Sequence, residues 1–140
     1  MNEITLVGNI GKDDPKLVYS ERTGEAVLKF SFAQNDRYRD RQTGEWRDTK
    51  PVWTDVVAFG DLADNAAESL HARAAVIVIG KFVDNSFRPV GEDGQLQSEV
   101  RRTEFRALAI GPDLRRATAT VTRQPRRERT GSTTAPQPAT

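Results

Sequence analysis

Residues 52–60, Val-Trp-Thr-Asp-Val-Val-Ala-Phe-Gly, constrain the fold of this chain more than any other stretch. Side chains alternate across a strand, so Trp53, Asp55, Val57 and Phe59 share one face and Val52, Thr54, Val56 and Ala58 the other. The second face is small and mostly apolar, which suits a core. The first sets two large aromatics on a strand flanked by charged loops. Two arrangements satisfy that pattern. Either Trp53 and Phe59 form an exposed platform on which planar groups such as unpaired bases stack, or they fill a second hydrophobic layer.

Four further strands and one helix surround this segment. Glu3–Ile10 alternates Ile4, Leu6 and Ile10 with Thr5, Val7 and Asn9, and Gly8 and Gly11 allow the bend that curls a strand round a barrel corner. After a turn at Thr23-Gly24, Ala26–Gln34 sets Leu28, Phe30 and Phe32 on one face and Lys29, Ser31 and Ala33 on the other. A short helix is predicted from Leu62 to about His71, with Asp61 as N-cap, Asp64 in the first turn, and Leu62, Ala66, Ala67 and Leu70 as its apolar stripe. Ala74–Val83 is apolar on both faces through Val76, Ile77, Val78 and Ile79, so it is buried on two sides, one of them available to a second subunit. Asp93-Gly94 signals a hairpin turn before a fifth strand, about Ser98–Ile110. Three strands, a helix between strands three and four, and a closing hairpin give a mainly β, five-stranded OB-fold (Greek-key) barrel.

Two long polar loops interrupt this barrel. Residues 35–50 carry Tyr38 and Trp46 among Arg37, Arg39, Arg41, Arg47 and Lys50, partly offset by Asp36, Asp40, Glu45 and Asp48. Residues 85–97 carry Phe87 and Arg88. Long loops in a compact domain usually have a function, and interleaved aromatics and arginines point the same way. From Pro112 onward six arginines (115, 116, 123, 126, 127, 129) meet only Asp113 and Glu128. That local excess of four within a net charge of +1 leaves the body at −3, an asymmetry that suits an anionic partner. The domain is read as 1–112, with a weakly alternating extra strand in 113–122 and a disordered basic, Pro- and Thr-rich tail over 123–140.

The chain of 140 residues has no cysteine, which excludes disulfides, thiolate metal sites and a cysteine nucleophile. No apolar run reaches a membrane span and the first residues do not read as a signal peptide, so a cytoplasmic, nucleoid-associated protein is expected. His71 is the single histidine, at a helix end where a cation suits the dipole. Asp13-Asp14 lack a third ligand and read as turn residues before Pro15. Arg101-Arg102 fall within the fifth strand, so at most one of them faces a ligand.

At this point the order of motifs resembles the bacterial single-stranded DNA-binding protein family. Met1-Asn2-Glu3-Ile4-Thr5-Leu6-Val7-Gly8-Asn9-Ile10 is similar to its opening, and Arg41-Gln42-Thr43-Gly44-Glu45-Trp46 to its long β-hairpin tip. Val52-Trp53 through Phe59-Gly60, Leu62-Ala63 and Ala67-Glu68-Ser69-Leu70 resemble its third strand and helix. Ile110-Gly111-Pro112-Asp113-Leu114-Arg115 resembles the end of that domain in actinobacterial members. The resemblance implies a homotetramer that binds single strands with little sequence preference, without catalysis, cofactor or metal. It places the stacking aromatics at Tyr38, Trp53, Phe59 and Phe87. Trp46, Lys29, Lys81, Arg37, Arg39, Arg41, Arg47 and Arg88 complete the candidate DNA-contacting set.

The departures from the family are informative. Asp55, Asp61, Val83, Asn85 and Ser86 stand where basic residues are frequent, so binding is expected to lean on stacking and to depend less on salt. The final residues lack the acidic tip closed by Pro-Phe that recruits replication and repair enzymes, so the chain resembles the short actinobacterial paralogue. That implies a specialised role in chromosome segregation, recombination or DNA uptake rather than main replication. Two rivals remain open at this stage. An OB-fold protein-interaction module of the primosomal restart type would not need Trp53 and Phe59 exposed, and a nuclease would need a metal or a nucleophile–base pair that the residues do not supply.

Overall fold

Alternation on the second predicted strand is realised directly: Leu28, Phe30 and Phe32 point inward and are buried, while Lys29 and Ser31 face out. The computed structural model describes residues 2–35 and 37–127. Along the chain these form β1 (Ile4–Ile10), β2 (Lys16–Tyr19), β3 (Ala26–Gln34), β4 (Arg37–Arg39), β5 (Trp46–Asp48) and β6 (Val52–Phe59). Then follow α1 (Gly60–Ser69), β7 (Ala75–Asp84) and β8 (Thr103–Pro112).

The sheet runs β1-β7-β8-β6-β3, and β3 returns to β1 through Asn9↔Ala33 and Ile10↔Phe32, which closes a five-stranded OB-fold barrel. All pairings are antiparallel except β6–β8, which is parallel over Val56↔Phe105 and Val57↔Arg106. Leu6, Ile10, Leu28, Phe30, Phe32, Val56, Val76, Val78 and Phe105 fill the barrel, and Ala63, Ala66 and Leu70 of the helix region pack against them. Gly8 sits where β1 passes from β7 to β3. A Cβ there would lie 2.3 Å from the Ala33 carbonyl oxygen, so the corner needs a residue without one.

Several boundaries differ from expectation. β2 was not foreseen. Its four residues are too few to show a period, and they are ordered by pairing with β3, Leu17 opposite Leu28. The 35–50 loop folds as a separate β4–β5 hairpin. β8 begins only at Thr103, so Arg101-Arg102 precede the strand, and residues 85–102 form an irregular arm with isolated Phe87↔Val100 and Val90↔Leu96 bridges. α1 starts at Gly60 with Phe59 at the N-cap position and no side-chain cap, so Asp61 is not the cap but lies in the first turn. Asp64 turns inward, is 7% exposed and accepts a hydrogen bond from the Tyr19 hydroxyl at 3.0 Å. Asp14 is a loop residue, its Oδ1 accepting the Ala72 N–H at 2.7 Å.

Residues 113–122, expected as an extra strand, pair with no strand among the described residues. Arg115 grips the buried Asp113 carboxylate through Nε and Nη2 at 2.9 and 2.7 Å and holds its pKa below the ordinary range. The chain then runs exposed, Val121 at 92%, as far as Arg127. There the main-chain N–H reaches Asp61 at 3.4 Å and Nη2 donates to the Asn65 side chain at 2.9 Å. The same guanidinium lies 3.8 Å from Asp64 and 3.7 Å from Glu68. Most of the predicted tail, 128–140, lies outside the described residues, as does Asp36.

Candidate nucleic-acid interface

Residues directly opposite on neighbouring strands share a face, so the pairing register assembles rows that run across the barrel. One row reads Lys16, Lys29, Val57, Arg106, Lys81 on β2, β3, β6, β8 and β7. Four cations from four distant parts of the chain thus stand side by side, about 4.8 Å apart from strand to strand. Val57 at their centre is only 3% exposed. Its neighbours are the long Lys29 and Arg106 side chains, in register on either side of it.

Two residues along each strand, about 7 Å away, the next row carries the opposite charge. Ser31 is opposite Asp55, and Glu104 precedes Phe105, the β8 partner of Val56. Lys29 Nζ lies 3.9 Å from Glu104 and links the two rows. One step further, Ala33 is opposite Trp53.

An open groove of about 1070 Å³ takes in the Lys16–Lys29 end of the cationic row and the acidic row beside it, but not Arg106 or Lys81; its lining includes Lys12, Lys16, Lys29, Trp53, Asp55, Arg102 and Glu104. Trp53 is 59% exposed. Its Cζ3 would stand 3.3 Å from a Cβ on Gly11, so the indole lies close over the bare Gly11 backbone at the end of β1. Of the two arrangements left open by the alternation of residues 52–60, the exposed one holds for Trp53. Phe59 behaves differently. It is half-buried, is not among the groove lining, and has the Arg106 guanidinium 4.7 Å from its ring centroid. The two aromatics therefore share a face but do not make one continuous platform.

The remaining candidates sit on the two projecting arms. Tyr38 and Trp46 are exposed on the β4–β5 hairpin, whose register sets Arg39 opposite Trp46 and Tyr38 opposite Arg47. Arg37 and Arg47 are already engaged, with Asp48 at 3.5 Å and Asp40 at 3.0 Å, while Arg41 is exposed in the hairpin turn. Exposed pairs of this kind give up little when a stronger anion competes. Phe87 is exposed on the second arm with Arg102 5.7 Å from its ring centroid, and Arg88 donates through Nε to the Gln97 carbonyl at 3.2 Å. Nearby, the Ser86 side chain and main-chain N–H both donate to Asp84 and lower its pKa.

Four groove or row residues, Lys12, Lys16, Glu104 and Arg106, carry no signal in the sequence pattern. Each carries a charge, but only the register reveals what it stands beside. Arg102, read earlier as one of an ambiguous pair, is the member that both lines the groove and reaches Phe87. Among the described residues, no group of three or more acids or histidines is placed to hold a metal ion. None of the helices described is long and apolar enough to cross a membrane.

A closed five-stranded barrel with one helix between its third and fourth barrel strands and a mixed aromatic and cationic outer face defines an OB-fold binding protein. The model of the Single-strand binding protein family matches residues 1–109. The single-stranded DNA-binding protein of Mycobacterium tuberculosis (strain ATCC 25618 / H37Rv) is 39% identical over 136 residues, 97% of this chain and 79% of that protein. Among solved structures, the small single-stranded DNA-binding protein from Streptomyces coelicolor superposes with a TM-score of 0.61 at 34% identity, covering 84% of this chain and 99% of that one. A Plasmodium falciparum SSB complex with ssDNA gives a TM-score of 0.59 at 25% identity over 76% and 86% of the two chains. The chain belongs to the single-strand binding protein family.

Proposed function

We propose that this protein binds single-stranded DNA with little sequence preference, stacking bases on Trp53 and, on the two arms, on Tyr38, Trp46 and Phe87. Phosphates run along the row of Lys16, Lys29, Arg106 and Lys81. The observation that carries this reading is the placement of an exposed indole two pleat steps from a line of cations crossing the barrel. Stacking is sequence-tolerant because every base has a π-face, and a cationic track follows a backbone of any sequence. The groove also holds acids in number, so few counterions leave on binding and the salt dependence is shallow.

The active form is a homotetramer. Support comes from the outward side of β1 and β7, where Val7 faces Ile77 and Thr5 faces Ile79, an apolar band that continues toward exposed Leu108 on β8. A second copy laid on this band would bury it, and no residue lining the groove belongs to β1 or β7. We also read the cellular role as specialised; the likeness to the small single-stranded DNA-binding protein from Streptomyces coelicolor, 99% of which the match covers, supports that reading. Tryptophan quenching and anisotropy titrations with oligo(dT), against duplex DNA of equal length, test the binding. Intact protein that neither quenches nor retains oligo(dT) would end this reading in favour of a protein-interaction module. Sedimentation of the free protein tests the assembly.

A further inference from the structure

One wall of the groove is a loop, Gly11, Lys12, Asp13, Asp14, Pro15 and Lys16 all lining it. The loop starts at Gly11, under the Trp53 indole, and ends at Lys16, the first cation of the row. It therefore bridges the stacking surface and the phosphate track. Both ends are fastened, the Gly11 N–H donating to the Ser31 carbonyl at 2.8 Å and Lys16 pairing with Lys29. Between them, among the described residues, residues 12–15 make a single hydrogen bond, in which Asp14 Oδ1 accepts the Ala72 N–H. That donor sits in the turn between α1 and β7. The Ala74 N–H donates to the His71 carbonyl at 3.1 Å and Arg73 has a φ of 67°, which makes a type II turn with Ala72 at its second position. A positive φ is unfavourable for arginine and persists only where the surroundings impose it. Here the Arg73 N–H donates to the Gly11 carbonyl at 3.0 Å, and Asn9 Nδ2 donates to the Arg73 carbonyl at 3.3 Å. The turn is thus a brace built onto the end of β1, and Asp14 ties the loop to it.

We propose that Asp14 is a positioning residue, holding this loop in the shape that presents Lys12 to a bound single strand, an inference that rests on the binding described above. By charge alone Asp14 works against phosphates, since with Asp13 it cancels Lys12 and Lys16 within the loop. Its contribution is preorganisation. A loop released from the brace samples its bound shape only part of the time, and the apparent affinity falls by that fraction.

Anisotropy titrations with oligo(dT) at one salt concentration test this. Ala72→Pro deletes the donor, changes no charge and leaves the groove lining intact, and proline is favoured at that position of the turn. It should bind about fivefold more weakly, as for a loop in its bound shape about a fifth of the time. Asp14→Ala should weaken binding less steeply, because an opposing charge goes with the bond, and the two changes together should bind no more weakly than Ala72→Pro alone. Asp14→Asn keeps an accepting oxygen and should bind at least as tightly as the wild type. Melting curves check that each variant is folded at the assay temperature. Should Ala72→Pro melt below it, the contrast between alanine and asparagine at position 14 decides alone. If Asp14 acts only as a charge, both of its variants tighten binding and Ala72→Pro changes nothing. That result overturns the proposal, as does an equal loss with alanine and asparagine. Folded wild-type protein that does not bind oligo(dT) refutes the single-strand reading itself, a distinct outcome.

Discussion

Replacing Trp53 with alanine separates a stacking role from a packing role. A tryptophan brings up to about 250 Å² into play, and with 59% of Trp53 exposed the covered part is about 100 Å². At about 25 cal/mol per Å² the folded state loses at most about 2.5 kcal/mol, an upper bound because the unfolded chain also covers some of that surface. In a domain of this size that lowers Tm by no more than about 15 °C. Loss of one stacked base costs about 1–3 kcal/mol, which weakens binding roughly 5- to 150-fold. The assay is anisotropy with a short labelled oligonucleotide, small enough that one subunit's groove dominates, read beside a melting curve. A variant that binds within twofold of the wild type refutes the stacking role. One that no longer folds at room temperature refutes the exposure.

Phe59→Ala should show the reverse balance, a larger loss of stability than of binding, because Arg106 already covers its ring; a binding loss equal to that of Trp53→Ala would contradict this. Gly8→Ala forces a Cβ against the Ala33 carbonyl oxygen at a backbone corner that cannot yield, so urea unfolding should record a loss on the order of 3 kcal/mol. An unchanged midpoint would mean that the β1–β3 corner is looser than described. The Asp113 carboxyl, held below its ordinary value of 3.8 by the Arg115 guanidinium, contributes stability that is complete above that value and lost as pH falls through its lowered folded pKa. Stability measured from neutral pH down should therefore drop more in the wild type than in Asp113→Asn, and parallel acid limbs would rule the contact out.

Much of the barrel is legible along the chain because its strands alternate cleanly. Leu28, Phe30 and Phe32 announce an inward face, the apolar run Val76–Ile79 a barrel strand whose Val76 and Val78 fill the core, and Leu62–Leu70 a helical stripe. The site is legible only in part. Trp53 stands out by itself, but Val57 lies on the same face and is buried, with Lys29 and Arg106, its neighbours in space alone, in register on either side. The cationic row depends on residues 16, 29, 81 and 106, whose alignment is a property of register. Asp64 reads as a first-turn acid, yet its partners Tyr19 and Arg127 are 45 and more residues away. β2 leaves no periodic trace in four residues and forms because β3 offers it an edge.

The parallel contact between β6 and β8 is a second thin seam in this cylinder of staves, fastened like the β1–β3 closure by only two register pairs. Trp53 stands on one lip, and Glu104 with neighbouring Arg102 on the other. Whatever lies across the groove works as a clasp over the seam, so occupancy should slow amide exchange first at Val56 and Phe105. Cargo would then help hold the container closed.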